Sequence, residues 1–243
     1  MFFSKKKSSI TDFSFLAADM HNHILPGIDD GAPDSATSLL LLAELSALGF
    51  TKVIPTPHTY QGIYPNTPST IAASYDQLKN ALDNAAGTFP IVDHYGSEYM
   101  MDGHFTSIRS KNEVLSFGKD RVLVEMSFAD NAPMLMDEIF QIQLQGKIPV
   151  LAHPERYTYL FGQLGYFEQL IRMGCELQLN LLSLLEHYGK GTQKTALQLL
   201  DKQWYSWAGT DTHHIGHIQL LKQLTQSKNF QKIVDYPFLN TGL

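Results

Sequence analysis

Cysteine is almost absent: among 243 residues only Cys175 carries a thiol, which excludes an internal disulfide framework and suits a reducing compartment. An excess of basic charge is absent too. Lysine and arginine total 18 against 24 acidic residues, a net charge of −6, so the chain lacks the footprint of a nucleic-acid binder, and an acidic substrate would need local cations. No apolar run is long enough for a signal peptide or a membrane span. The chain is therefore expected to be cytoplasmic, without membrane insertion, and residues 1–12, which include Lys5-Lys6-Lys7, read as a flexible, solvated tail. No low-complexity linker, fixed-period repeat or shift of composition divides the rest, so residues 1–243 are read as one domain.

What is present is a stretch that organises the chain, Asp19-Met20-His21-Asn22-His23. Residues 16–20 read as an apolar strand, and alternation along a strand sends His21 and His23 to one face, where two imidazoles can grip one ion. Pro26 and Gly27 then turn the chain, and Asp29, Asp30 and Gly31 form a loop that can fold back. The same beat recurs downstream. Helices are expected over 34–48, 68–86, 133–145, 164–173 and 192–201, each stopped by glycine or a polar turn. Strands are expected over 50–56, 91–96, 121–124, 148–152, 176–180 and 204–208. With the first, that makes about seven strands separated mostly by helices, an α/β parallel sheet closed into a barrel.

In such barrels the active site lies at the C-terminal mouth of the strands. Here His21, His23, His58, Glu98, Glu125, His153, Asp211 and His213 all fall at expected strand ends, and random burial of histidines would not select that rim. Asp30 adds a fourth carboxylate. These are too many ligands for one divalent ion, so a cluster is implied, and a nitrogen and oxygen set without thiolate suits manganese, zinc or iron. Ions bridged by a carboxylate activate water and clamp phosphate oxygens, the logic of phosphoester hydrolysis. Arg156, beside His153, can bind a phosphate in a forked geometry, or else form a rim salt bridge with Glu155.

The series His-x-His, Asp30, Thr-Pro-His58, Gly-Ser-Glu98, Val-Glu125, His-Pro-Glu-Arg156 and Gly-Thr-Asp-Thr-His213 resembles the polymerase and histidinol phosphatase (PHP) superfamily. Within it, His-Ile-Leu-Pro-Gly-Ile-Asp-Asp-Gly after His-x, together with His-Pro-Glu-Arg, is similar to the manganese-dependent protein-tyrosine phosphatases of bacterial capsule and exopolysaccharide operons. The resemblance spans about residues 19–215. It implies a distorted (β/α)7 barrel, TIM-barrel-like, with three divalent transition metals, manganese first and iron or zinc as alternatives. It implies that one ion takes His21, His23, Glu98 and Asp211, a second Asp30, His58 and His213, and a third Glu125 and His153, with Glu98 bridging. Its expected substrate is a phosphotyrosine protein, a bacterial tyrosine kinase, attacked by hydroxide held on the metal while Arg156 holds the phosphate.

One departure stands out. Members of this branch often carry a further phosphate-binding arginine shortly after the final Asp-x-His, where this chain reads His213-His214-Ile215-Gly216-His217-Ile218. His214 or His217 are the candidates to replace it. Tyr60 and Tyr64 lie in the loop after His58 and are candidates to flank a substrate ring, or simply to pack. Cys175 has no glycine-rich cradle or arginine after it and reads as a core residue. Two alternatives remain: hydrolysis of histidinol phosphate or another small phosphomonoester on the same cluster, and an inactive scaffold that binds a kinase or phosphopeptide.

Overall fold

The computed structural model describes residues 10–130 and 133–243; of the tail expected over 1–12, residues 1–9 lie outside the described residues, while Asp12 accepts from Ser14 N–H at 3.0 Å. Among the described residues there are eight strands, all but β2 and β3 separated by helices: β1 (Ala18–Asp19), β2 (Lys52–Val53), β3 (His58–Thr59), β4 (Glu98–Met100), β5 (Arg121–Glu125), β6 (Ile148–Ala152), β7 (Glu176–Asn180) and β8 (Trp207–Gly209). The helices are α1 (Ser35–Ala47), α2 (Pro68–Asp83), α3 (Gly103–Ser110), α4 (Leu135–Leu144), α5 (Leu164–Arg172), α6 (Lys190–Asp201), α7 (Ile215–Thr225) and α8 (Gln231–Val234). β3 to β8 pair in sequence order as one parallel, curled sheet, and β1 and β2 form a second parallel pair. Helical crossovers are what parallel neighbours require.

Backbone bonds outside these strands continue the curl. Gly96 N–H donates to Pro55 O at 2.8 Å and Glu98 N–H to Pro57 O at 3.0 Å, tying the run between β2 and β3 to the approach to β4. At the other edge, Asp211 N–H donates to His21 O at 2.7 Å and His23 N–H to Thr212 O at 2.9 Å. Asn22 and Thr212 thereby form a parallel bridge between the chain's first and last sheet segments.

Burial follows the two-residue period. In β5, Leu123 joins an inner cluster with Met20, Ile54, Val150, Ala152 and Trp207, while Val122 and Val124 pack outward under the helices. Glu98 is paired in register with both Leu123 and His58, so both ligand candidates start from the inner face. Capping sets where the helices begin. Asp34 accepts from Thr37 N–H at the start of α1, and Thr67 forms a reciprocal box with Thr70 before Pro68 opens α2.

The sequence expectations need correcting in four places. The strand expected over 91–96 is a single bridge from Ile91 to Lys52, and the chain pairs instead at β4, which contains Glu98. His58 lies within β3, not past a strand end. The last strand starts at Trp207. Helices α3, α7 and α8 have no place in the sequence reading; the first two start on side-chain caps, Asp102 and His214.

Candidate metal centre

His21 and His23 leave the inner face at the end of β1, and the loop after them returns because Gly31 permits it. A Cβ at Gly31 would collide with the carbonyl oxygen and Cβ of His23. Ala32 N–H then donates to His23 O at 3.0 Å. Gly209 plays the same part on the other side, where a Cβ would lie 2.6 Å from the Cβ of His21. Two of the ligand candidates hold strained backbone: His153 has φ 36° and Asp211 φ 51°. Such left-handed geometry costs a β-carbon residue of order 1–3 kcal/mol and is retained where a side chain must be aimed. Alternation alone would send His153 away from the face that Ala152 occupies.

The centre is Glu98, fully buried. Its Oε2 lies 3.1 Å from His21 Nε2, 3.4 Å from His23 Nε2 and 3.2 Å from His58 Nδ1, while Oε1 meets His153 Nε2 at 3.0 Å. Asp211 Oδ1 stands 3.4 Å from His21 Nε2 and 3.3 Å from His23 Nε2. Beside this, Asp30 Oδ1 lies 3.7 Å from His58 Nε2 and 3.5 Å from His213 Nε2, and Glu125 Oε1 3.1 Å from His58 Nδ1. Three groups result in which the ligand atoms all lie within 4.8 Å of one another: His21, His23, Glu98 and Asp211; His23, Asp30, His58 and His213; and His58, Glu98 and Glu125. The first two bring together the residues that the resemblance assigns to two of the ions, with His23 added to the second. In the third, His58 stands beside Glu125, and His153 reaches the set through the other oxygen of Glu98.

The residues fit divalent ions. Glu98 Oε2, His58 Nδ1 and His153 Nδ1 are buried without a hydrogen-bond partner, although imidazole nitrogens crowd the first. Buried polar atoms are almost always satisfied, and imidazole nitrogens and carboxylate oxygens converging at 3.1–3.4 Å around Glu98 are the donor set that a divalent ion takes. Burial would raise the carboxyls of Glu98 and Asp211, but His21 and neighbouring imidazoles hold both well below the usual carboxylate range. Cation is what this pocket demands.

Sequence reasoning missed the groups that orient the ligands. Asp29 Oδ2 pairs with His23 Nδ1 at 2.8 Å and accepts from His58 N–H at 3.0 Å, leaving His23 Nε2 free for the cluster. Gln178 Oε1 does the same for His21, accepting from its Nδ1 at 2.9 Å and from His153 N–H at 3.2 Å. His213 Nδ1 bonds Asp211 O at 2.8 Å, and Asn180 Nδ2 donates to Asp211 Oδ2 at 2.8 Å. Such outer partners fix tautomer and ring angle. Asp29 reads in the sequence as part of the loop that folds back, and Gln178 as a strand residue; no spacing marks either as a partner of a ligand histidine.

Arg156 donates from Nη1 to Asp211 Oδ2 at 2.7 Å, between the rings of Phe128 and Tyr188, whose centroids lie 4.7 and 4.2 Å from its Cζ. The rim pairing with Glu155 does not form. Glu155 turns into the core and accepts from Asn180 N–H at 3.0 Å and Tyr205 O–H at 2.9 Å. Arg156 lines a cleft of about 260 Å³ with Asp30, Tyr188, Asp211, His213, His214 and His217. Larger cavities of about 510 and 500 Å³ lie elsewhere, lined by Trp207 with Lys52 and by Thr59 with His104, and none of the ligand set lines them. Tyr64 stacks on His58, centroids 5.5 Å apart at 11°, whereas Tyr60 exchanges backbone bonds with Tyr64 at 2.8 Å. His214 caps α7 by accepting from Gly216 N–H. His217 Nδ1 accepts from His213 N–H at 3.2 Å, and burial, helped by His214 and His213, pushes its pKa down to about 4. At neutral pH it is therefore uncharged and does not replace an arginine's charge.

Comparison with known proteins agrees with this geometry. The chain is 31% identical over 199 residues to the tyrosine-protein phosphatase YwqE of Bacillus subtilis, covering 81% of this chain and 77% of that protein. It is 27% identical over 203 residues to the tyrosine-protein phosphatase CpsB of Streptococcus pneumoniae, covering 81% and 83%. A crystal structure from the work on YwqE of B. subtilis and CpsB of S. pneumoniae, described as unique metal-dependent tyrosine phosphatases, superposes with a TM-score of 0.79 at 27% identity, covering 92% of this chain and 89% of that one. Residues 17–225 match the family described as capsular polysaccharide synthesis, CpsB/CapC. With the fold, the ligand groups and a match over most of its length in agreement, this chain belongs to the CpsB/CapC family of capsular polysaccharide synthesis.

Proposed function

We propose that this chain is a metal-dependent protein-tyrosine phosphatase of capsular polysaccharide synthesis, acting on a phosphotyrosine protein such as a bacterial tyrosine kinase. The observation that carries the reading is Glu98, one buried carboxylate whose two oxygens are reached by four imidazoles. The proposed ligand set is His21, His23, Asp30, His58, Glu98, Glu125, His153, Asp211 and His213, holding three ions, manganese before iron or zinc. The barrel is proposed to have seven staves, with β2 and β3 as two parts of one.

Bound, the ions supply a nucleophilic water at neutral pH and balance the charge of the phosphate. The chain's own residues do the rest. Arg156 holds a phosphate oxygen, its plane fixed by Asp211 and two aromatic rings; His217 lines the cleft beside it; His214 and Tyr64 border the approach. Arg156→Lys should lower kcat/KM about thirtyfold, roughly 2 kcal/mol, because lysine has neither the fork nor the stacked plane. The loss should appear mainly in KM and in the inhibition constant of inorganic phosphate. Unchanged phosphate inhibition would remove Arg156 from this role.

Leaving-group chemistry favours tyrosine. A phenol of pKa about 10 departs with less help than an aliphatic alcohol, and of the imidazoles lining the cleft His213 belongs to the cluster, His214 caps α7 and His217 is uncharged. Phosphotyrosine peptide should therefore exceed phosphoserine peptide and histidinol phosphate in kcat/KM by at least about tenfold, or about 1.4 kcal/mol. The test is all three substrates side by side with manganese supplied. Histidinol phosphate turning over as fast as the tyrosine peptide would assign a small-molecule phosphatase instead.

A further inference from the structure

Phe128 stands three residues beyond Glu125, on the loop that leaves β5. Most large apolar side chains here are buried, yet Phe128 is 46% exposed, beside the cleft and not on a remote face. Its ring is stacked with the imidazole of His153, centroids 5.7 Å apart at 25°, and packs against Tyr157 at 5.6 Å. The guanidinium carbon of Arg156 lies 4.7 Å from its centroid. An aromatic ring held by a ligand candidate and by the phosphate-binding arginine, yet left half open, is surface kept for something apolar that arrives with a phosphate.

We infer that Phe128 is the surface on which the ring of a phosphotyrosine side chain packs, which makes it a residue that selects aryl over alkyl phosphate esters. The inference rests on the phosphatase reading above and goes beyond it by naming where the aryl group lies. A phosphate held by Arg156 carries its ester substituent next to the rings that sandwich that guanidinium. Of those two, Tyr188 is more covered, forms part of the cleft wall and is engaged through its hydroxyl with Asn180 Nδ2 at 3.4 Å. Phe128 has no polar atom to satisfy. Tyr64 is the other ring near the ligands, but it is stacked on His58 beside Asp30. A ring in van der Waals contact with Phe128 gains offset-stacking energy that a serine methylene cannot.

The competing role is a clamp: Phe128 could serve only to hold Arg156 flat. The two roles separate by substrate. With manganese-loaded protein, phosphotyrosine and phosphoserine peptides of one sequence are compared for wild type, Phe128→Ala and Phe128→Tyr, together with inhibition by inorganic phosphate. Phe128→Ala is expected to lose about tenfold in kcat/KM on the tyrosine peptide, chiefly through KM, while the serine peptide and the phosphate inhibition constant change less than about twofold. Phe128→Tyr, which keeps a ring, is expected to retain the preference. Equal losses on both peptides with weakened phosphate inhibition would overturn the inference in favour of the clamp, and no loss on either would overturn it outright. Wild-type protein that hydrolyses neither peptide would fail the phosphatase reading itself, a result distinct from either of these.

Discussion

Glu98→Gln is expected to lower kcat/KM by at least about a thousandfold, about 4 kcal/mol, and to strip the protein of more than one equivalent of metal. The substitution keeps shape and volume and removes charge from the one carboxylate that touches His21, His23, His58 and His153. Two of the three ligand groups contain it, so its loss leaves neither with a full set of donors and leaves buried imidazoles without their anion. Asp30→Ala is the control. Its side chain is 49% exposed and belongs to a single group, so metal content should fall less and activity should partly return with excess manganese. Elemental analysis beside steady-state kinetics checks both. Equal metal loss in the two variants would deny Glu98 its bridging place.

Chelation should abolish hydrolysis, by at least about a thousandfold, while thiol alkylation spares it. Cys175, the only thiol, is buried in the outer core, and burial pushes its pKa up to about 12. A nucleophilic thiolate needs the opposite, an exposed and electropositive setting that lowers the pKa. Cys175→Ser should keep activity within about twofold at permissive temperature. Its near-complete inactivation without unfolding would restore a cysteine mechanism, and activity surviving exhaustive chelation would remove the metal.

The ligand candidates were legible in the sequence because they obey two simple periodicities: alternate residues share a face, and strands of a parallel barrel deliver side chains to one end. His21 with His23 and Asp211 with His213 could be read from spacing alone. The rest depended on contacts far apart in sequence. Residues 91–96 alternate well enough to suggest a strand, but Ile91 is 60% exposed and pairs only once, with Lys52; which neighbour is available, not local propensity, decided that pairing. Helix α3 is only eight residues long, and the cap Asp102 is the local feature that marks its start. Gln178 and Asn180 serve ligands 157 and 31 residues away, and no local pattern encodes such service. Phe128 was invisible for a different reason: an exposed phenylalanine has meaning only once its neighbours are known.

The bridge between Asn22 and Thr212 has a consequence for the order in which this protein comes into being. Thr210 N–H donates to Asp19 across 191 residues at 2.9 Å, and the strand ends so joined bring Asp211 and His213 to His21 and His23. A ribosome delivers the paired histidines first, Glu98 midway and Asp211 almost last. Loops of such length close late, after local contacts have formed. During most of synthesis the imidazoles therefore lack Asp211 and His213, and two of the three ligand groups stay incomplete. Cofactor acquisition becomes the closing act of folding, and a truncated or stalled product cannot assemble the full site.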